Sequence, residues 1–251
     1  MRILCLVDLL GAAKNQDFSE DLKSVDWKTE ANVLAVLKKE GHDAKIFGVA
    51  SDVWPLLNEI RSFRPDLIFN LCEAFAGDRS LESSIPSLLT MLGVPFTGCS
   101  AQVLSFCKDK HVLKSIAAQA GVRQPKSILI RQDEKIPELS ADFFPAFVKA
   151  SASESSQGLS LKSKVTSVIQ LVERVHHLQK NYRQDVLVEE YVDGRELYVS
   201  ALCRDGKVVR FFPARELHFG ALAKTGLGFA TYRSKWDEDY RKKWNIHSRP
   251  A

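Results

Sequence analysis

Three short apolar runs, RILCLVDLL, HDAKIFGVA and DLIFNLCEA, alternate with two amphipathic stretches, TEANVLAVLKKEG and VWPLLNEIRSFR, over residues 1 to about 72. That order restricts the fold more than any other feature of the chain. A strand-length run with little polar interruption fits a strand buried on both faces. In TEANVLAVLKKEG the apolar residues at 31, 33, 34, 36 and 37 follow helical spacing, and Gly41 supplies a stop. Strand and helix in alternation are the signature of a doubly wound α/β sheet. The first run also invites comparison with an export signal. It gives way at once to a polar, acidic segment, and no apolar span of 18 residues follows anywhere. It is read as a buried first strand, not a targeting or membrane segment.

Further along, SSIPSLLTMLG predicts a helix ending at Gly93, VPFTGCSA an extended turn, and CKDKHVLKSIAAQAG one more helix stopped by Gly121. KSILI and AFVKA read as strands, VTSVIQLVERVHHLQ as a helix and DVLVEEYV as a strand. The stretch RELYVSALCRDGKVVRFFPARELHF alternates strongly about RDGK, which predicts an antiparallel hairpin. No helix is expected over that last sheet before the chain reaches WNIHSRPA.

Composition narrows the function classes. A hydrophobic share of 45% and a charged share of 26% are those of an ordinary soluble globular protein. The net charge of +4 arises from 35 Lys and Arg scattered among 31 acids, with RKK at 241–243 as the densest basic run. Such a surface argues against a nucleic-acid partner. The five cysteines form no CxxC and no metal-ligand spacing, which suits a reducing cytoplasm.

Chemistry concentrates in two places. In FPAFVKASASESSQGLS a strand ends in Lys149 and runs into a serine-rich loop. The loop is either a linker between domains or a phosphate-holding hairpin with Lys149 as fixed charge beside it. In VLVEEYVDGRE an alternating strand delivers Glu189 and Glu190, then a turn at Gly194 and Glu196. These acids suit hydrogen bonds to an adenine amino group and to ribose hydroxyls, or equally a solvated β-turn.

Taken in order, GVPFTG, CKDK, AGVRQPKS, FPAFVKA, SESSQGLS, VLVEEYVDGRE and YRSKW resemble the ATP-grasp superfamily, and within it the D-alanine–D-alanine ligases; the likeness runs from the first strand to the last residues. It favours the phosphate hairpin. It implies a pre-ATP-grasp α/β domain at 1–109, a central ATP-grasp subdomain at 110–196, and the start of a C-terminal subdomain, incomplete, at 197–251. It implies ATP as cofactor, with Lys110 and Lys149 on the phosphates and Ser155, Ser156 and Gly158 closing over the transferring group. Glu189 matches the adenine-binding acid, with Glu190, Tyr191 and Val192 framing the base, and Glu196 the ribose-binding acid. Lys235 matches a lysine near the γ-phosphate, so Lys235 and Ser156 are the catalytic candidates. The activity implied is amide or peptide bond formation through an acyl phosphate, on an amino acid or short peptide. A homodimer is compatible with it.

The chain also departs from the pattern. The ligase loop begins Glu-Gly-Ser-Ser, whereas here Ser153, Glu154, Ser155 and Ser156 stand in line, without the glycine that permits close backbone approach. Ser24, with Asp26 and Glu30 nearby, occupies the place of a glutamate that holds the first amino acid. The family binds Mg2+ through acids on late strands, and no metal-ligand set is identified here. Asp237, Glu238 and Asp239 are adjacent and read as a solvated turn. His176 and His177 are neighbours on a helix and do not share its ligand-spacing face. Tyr232 and Trp236 read as packing residues, and Arg215 with Glu216 either faces the site or pairs across the hairpin. The competing reading is an ATP-binding module without catalysis.

Overall fold

The computed structural model describes residues 1–9, 27–152 and 156–251. These form two compact units, Met1–Cys107 and Lys108–Ala251.

The first unit is built on a parallel sheet in which β1 (Arg2–Asp8) lies between β2 (Asp43–Val49) and β3 (Leu67–Asn70). Successive side chains of a strand point to opposite faces, so the central strand needs apolar residues at both parities. Ile3, Cys5 and Val7 pack on one face with Leu34 of α1 (Lys28–Lys39). Leu4 and Leu6 pack on the other with Leu56 of α2 (Trp54–Phe63) and with Ile85 and Leu89 of α3 (Ser84–Met91). Each such buried side chain contributes about 1.5–3 kcal/mol of transfer free energy. The expected doubly wound α/β arrangement is present.

The stretch expected as one helix over CKDKHVLKSIAAQAG is two, α4 (Ala101–Lys108) and α5 (Lys110–Gln119). Asp109 breaks it. Its backbone is extended, and its carboxylate accepts hydrogens from the His111 and Val112 amides at 2.9 and 3.1 Å. The preference of aspartate for capping a new helix outweighs continuation of the old one.

In the second unit β4 (Ser127–Ile130), β5 (Ala146–Ala150), β6 (Lys164–Val165) and β7 (Val186–Glu190) form an antiparallel sheet in the order β4-β7-β5-β6. α6 (Val168–Tyr182) covers one face, with Leu171, Val175 and Leu178 against Val148, Val186 and Val188.

The last third divides in a way the sequence does not announce. The expected hairpin exists as β9 (Ala201–Arg204) and β10 (Lys207–Phe211), joined through Asp205 and Gly206, both at positive φ as a tight primed turn requires. The flanking strands β8 (Glu196–Tyr198) and β11 (Arg215–His218) leave it and form a separate sheet with β12 (His247–Pro250). Contrary to the expectation of a sheet without helices, α7 (Tyr232–Trp236) and α8 (Glu238–Trp244) precede β12. Leu217 of β11 meets a core of Phe219, Leu222, Tyr240 and Ile246. Tyr232 and Trp236 lie outside that core, 53% and 60% exposed, so the packing role expected for them is not found. Tyr240 and Trp244 fill the apolar positions instead.

Candidate functional site

The face of the second unit's sheet away from α6 carries the charged residues. On β5, Ala146, Val148 and Ala150 are buried, and Phe147 and Lys149 alternate with them. On β7, Glu189 stands opposite Phe147 and Leu187 opposite Lys149. Lys149 and Glu189 are therefore diagonal neighbours on one face, close enough for long side chains to meet. They do meet: Lys149 Nζ pairs with Glu189 Oε2. Lys114, from α5, donates to Glu189 Oε1 at 2.7 Å and to the Pro125 carbonyl at 2.9 Å.

Glu189 is only 6% exposed. A carboxylate so far from water needs compensating charge, and here two ammonium groups face it. The trio carries one cation more than it needs. Lys110 stands four residues before Lys114, a spacing that places both on one helix face. Its Nζ donates to the Ser151 carbonyl at 3.1 Å, at the start of the serine loop.

The expected loop residue Ser155 lies outside the described residues, as do Ser153, Glu154, Ser24 and Asp26. From Ser156 the backbone forms a tight turn, with Ser156 at φ 64° and Gly158 at φ 76°. The Leu159 amide donates to the Ser156 carbonyl at 2.9 Å. Space also favours Gly158: a Cβ there would stand a tight 3.3 Å from Leu178 and Tyr182.

Beyond β7, Tyr191 joins an aromatic group with Phe147 and Phe229, with ring centroids 5.0 to 6.2 Å apart. Lys164 Nζ sits 4.0 Å above the Tyr191 ring and donates to the Gly226 carbonyl at 2.8 Å. Glu190 turns to the Lys126 amide at 3.2 Å, and Val192 is exposed. Both oxygens of Glu196 are engaged, one by the Tyr198 hydroxyl at 2.8 Å and the other by the Ala230 amide at 2.9 Å. Burial, and then this bond and the Glu196 charge, push the Tyr198 phenol well above its ordinary value. Lys235 Nζ lies 5.9 Å from the Tyr198 ring centroid.

Two groups result. Lys110, Lys149 and Glu189 surround the strand ends at the start of the serine loop, and Glu196 and Lys235 gather around Tyr198. The segment Phe229–Ala230 links them, through the aromatic contacts of Phe229 and the Ala230 amide. Lys114, Lys164 and Phe229 escaped the sequence reading. For Lys114 a signal existed, its spacing from Lys110; the two others are brought in by the fold.

Among the described residues no group of three or more His, Cys, Asp and Glu side chains could hold a metal ion. The acids at 237–239 are a helix start, not a solvated turn. Asp237 Oδ1 accepts from the Tyr240 amide at 2.8 Å and Oδ2 from Arg233 at 2.9 Å. With both Asp237 oxygens so engaged, this set does not fit Mg2+. Arg215 bonds Ser248 at 2.8 Å and Glu216 pairs with Arg249 at 3.2 Å, so both are committed across strands β11 and β12. No helix among the described residues is long and apolar enough to cross a membrane.

A family model described as D-ala D-ala ligase C-terminus matches residues 116–247. An uncharacterized protein, y4sG, of Sinorhizobium fredii is 33% identical, covering 75% of this chain and 55% of its own length. A D-alanine–D-alanine ligase of Aquifex aeolicus is 27% identical over 88% of this chain and 72% of its own. With y4sG and with the resistance protein VanA of Enterococcus faecium, 29% identical over 73% of this chain, the match spans about half of the relative's length, 55% and 50%. Among solved structures, the D-alanine–D-alanine ligase from Bacillus anthracis complexed with ATP aligns with a TM-score of 0.64 at 21% identity, over 88% of this chain and 67% of that one. At that identity the likeness is one of fold.

Proposed function

The chain belongs to the family of D-ala D-ala ligase C-terminal domains, and from that premise we propose that it binds ATP on the face of the β5–β7 sheet away from α6 and works as an ATP-dependent carboxylate–amine ligase. A carboxylate is a poor electrophile. Its oxygen attacks the γ-phosphorus, ADP leaves, and an amine then displaces phosphate from the acyl carbon. The protein's share in such a reaction is positioning and charge neutralisation.

The observation that carries this reading is the partly buried Lys114–Glu189–Lys149 trio with its spare cation, set beside Lys110 at the mouth of the serine loop. Lys110 and Lys149 take the phosphates, and the turn at Ser156 and Gly158 closes over them. Glu189 receives the adenine amino group, with Glu190, Tyr191 and Val192 along the base. Glu196, held by Tyr198 and Ala230, offers an oxygen to the ribose, and Lys235 approaches the γ-phosphate. Mg2+ accompanies the nucleotide. D-Alanine, named in the relatives' activity, is the first substrate to try, and other amino acids or short peptides follow.

The test is an ATP titration by calorimetry, with and without Mg2+, beside Lys149→Ala. A hydrogen bond to a charged group is worth about 1.5–3 kcal/mol, so the variant is expected to bind roughly ten-fold to one-hundred-fold more weakly. No ATP binding by the parent chain would overturn the reading. Binding without phosphate release in the presence of D-alanine would leave a nucleotide-binding module in place of a ligase.

A further inference from the structure

Arg174 of α6 is 6% exposed and has no carboxylate partner among the described residues. One of its terminal nitrogens donates to the Gly158 carbonyl and to Ser163 Oγ, the latter at 3.1 Å, while its Nε–H has no hydrogen-bond partner. A buried cation with an orphaned donor is costly, and burial holds the guanidinium below its ordinary pKa. The side chain lines a cavity of about 680 Å³ together with Lys162, Lys164, Gln170, Glu173 and His177. None of Lys110, Lys114, Lys149 or Glu189 borders it. Lys164 is occupied elsewhere, by the Gly226 carbonyl and the Tyr191 ring, and the single acid, Glu173, is exposed. Arg174 and Lys162 therefore dominate the field. His177 registers it: burial, then the charges of Arg174 and Lys162, hold its imidazole below the usual value.

We infer that this cavity, formed by α6, β6 and the turn before β6, is a second binding site for a small oxyanion of the phosphate or carboxylate class. The anion's oxygens accept from Lys162 and from the part of the Arg174 guanidinium that lines the cavity. The volume is that of an ordinary small-molecule site, large enough for a phosphorylated or polycarboxylate metabolite. The site shares no cation with the Lys114–Glu189–Lys149 trio and adjoins the nucleotide reading above only through Lys164 and the Gly158 carbonyl that Arg174 holds.

The experiment is a titration of the whole chain with inorganic phosphate at constant ionic strength, followed by calorimetry and by the His177 ring-proton resonance. It is repeated in Lys149→Ala, Lys162→Ala and Arg174→Met, with His177→Gln identifying the resonance. The phosphate binding that His177 reports is expected to persist in Lys149→Ala, to weaken about ten-fold in Lys162→Ala, and to raise the His177 titration midpoint by relieving the two positive charges. Should Arg174→Met fail to fold, Lys162→Ala still decides, because that side chain lies on the surface. Phosphate binding lost in Lys149→Ala and kept in Lys162→Ala would overturn the inference, as would an unmoved His177 resonance or no binding above the chloride control. Running citrate beside phosphate separates the two anion sources by their relative affinities.

Discussion

Replacing Glu189 by leucine isolates what the charge trio contributes. Glu189 is 6% exposed, and the side chains of Lys114 and Lys149 retain 13% and 22% of their exposure. Glu189→Leu leaves two ammonium groups facing each other in a partly dry place. Breaking a buried pair by removing one partner costs about 3–5 kcal/mol. For a domain of this size, with about 2–4 °C of melting temperature per kcal/mol, the midpoint is expected to fall by about 6–20 °C. The triple variant Lys114→Met, Lys149→Met, Glu189→Leu removes the charges together, and buried ion groups replaced by apolar ones of similar volume are often neutral or stabilising. It is expected to melt near the parent and to bind no ATP. The assays are thermal unfolding and nucleotide calorimetry on the three proteins. A loss below about 1 kcal/mol in the single variant would mean that water already screens the trio, as for surface pairs. ATP binding undiminished in the triple variant would remove the nucleotide from this face of the sheet.

Other outcomes follow from separate places in the fold. Gly220→Ala drives a Cβ to 2.0 Å from the Trp244 carbonyl, at φ +52°, and is expected to cost more than about 3 kcal/mol in urea unfolding. Gly41→Ala meets nothing within 4 Å and is expected to cost only the backbone term of about 1–2 kcal/mol. With a thiol reagent, Cys99, Cys107 and Cys203 are expected to react in the native protein, and Cys5 and Cys72 only on unfolding. Burial lifts the Cys5 thiol to about 11 and raises Cys72 further, keeping both protonated. The Tyr240 amide, then Arg233, hold the Asp237 carboxyl below the ordinary 3.8. A carboxyl lowered on folding stabilises above its unfolded pKa and loses that stabilisation as pH falls through the folded one. The stability deficit of Asp237→Ala at pH 7 is therefore expected to shrink once the pH passes below 3.8, in melting curves recorded across that range.

How far the fold could be read depended on whether an element declares itself locally. RILCLVDLL declared itself because a strand covered on both faces needs apolar residues at both parities, and Leu4 and Leu6 serve one core while Ile3, Cys5 and Val7 serve the other. The break at Asp109 was concealed because an N-cap inside a continuous helical pattern looks like any polar surface position. β8 and β11 read as part of the hairpin because alternation shows that strands exist and leaves their partners open; the pairing with β12 is a long-range fact. Arg174 was hidden for a similar reason. In VERVHHLQ it reads as part of a solvated helix face, and only the turn carrying the Gly158 carbonyl and Ser163 shows why an arginine is tolerated inside.

The candidate site was legible as separate residues and not as an arrangement. Resemblance assigned Lys149 to phosphate and Glu189 to adenine, two ends of one nucleotide, yet the β5–β7 register places their side chains in a single ion pair with Lys114 as a third member. Physical chemistry makes that pairing reasonable. A site that collects cations for a polyanion must hold them when the polyanion is gone, and surplus charge in a partly dry pocket is costly unless an internal carboxylate offsets it. Glu189 can serve in that way without leaving its strand. On the proposed reading, arrival of the phosphates draws Lys149 from Glu189 and frees a carboxylate oxygen for the adenine amino group, so that phosphate and base binding are coupled through one exchanged ion pair. Adenosine, which lacks the phosphates, would then gain far less from Glu189 than ATP does, and the effect of Glu189→Gln on binding should be large for ATP and small for adenosine. Equal effects on both would show that Glu189 contacts the base independently of Lys149.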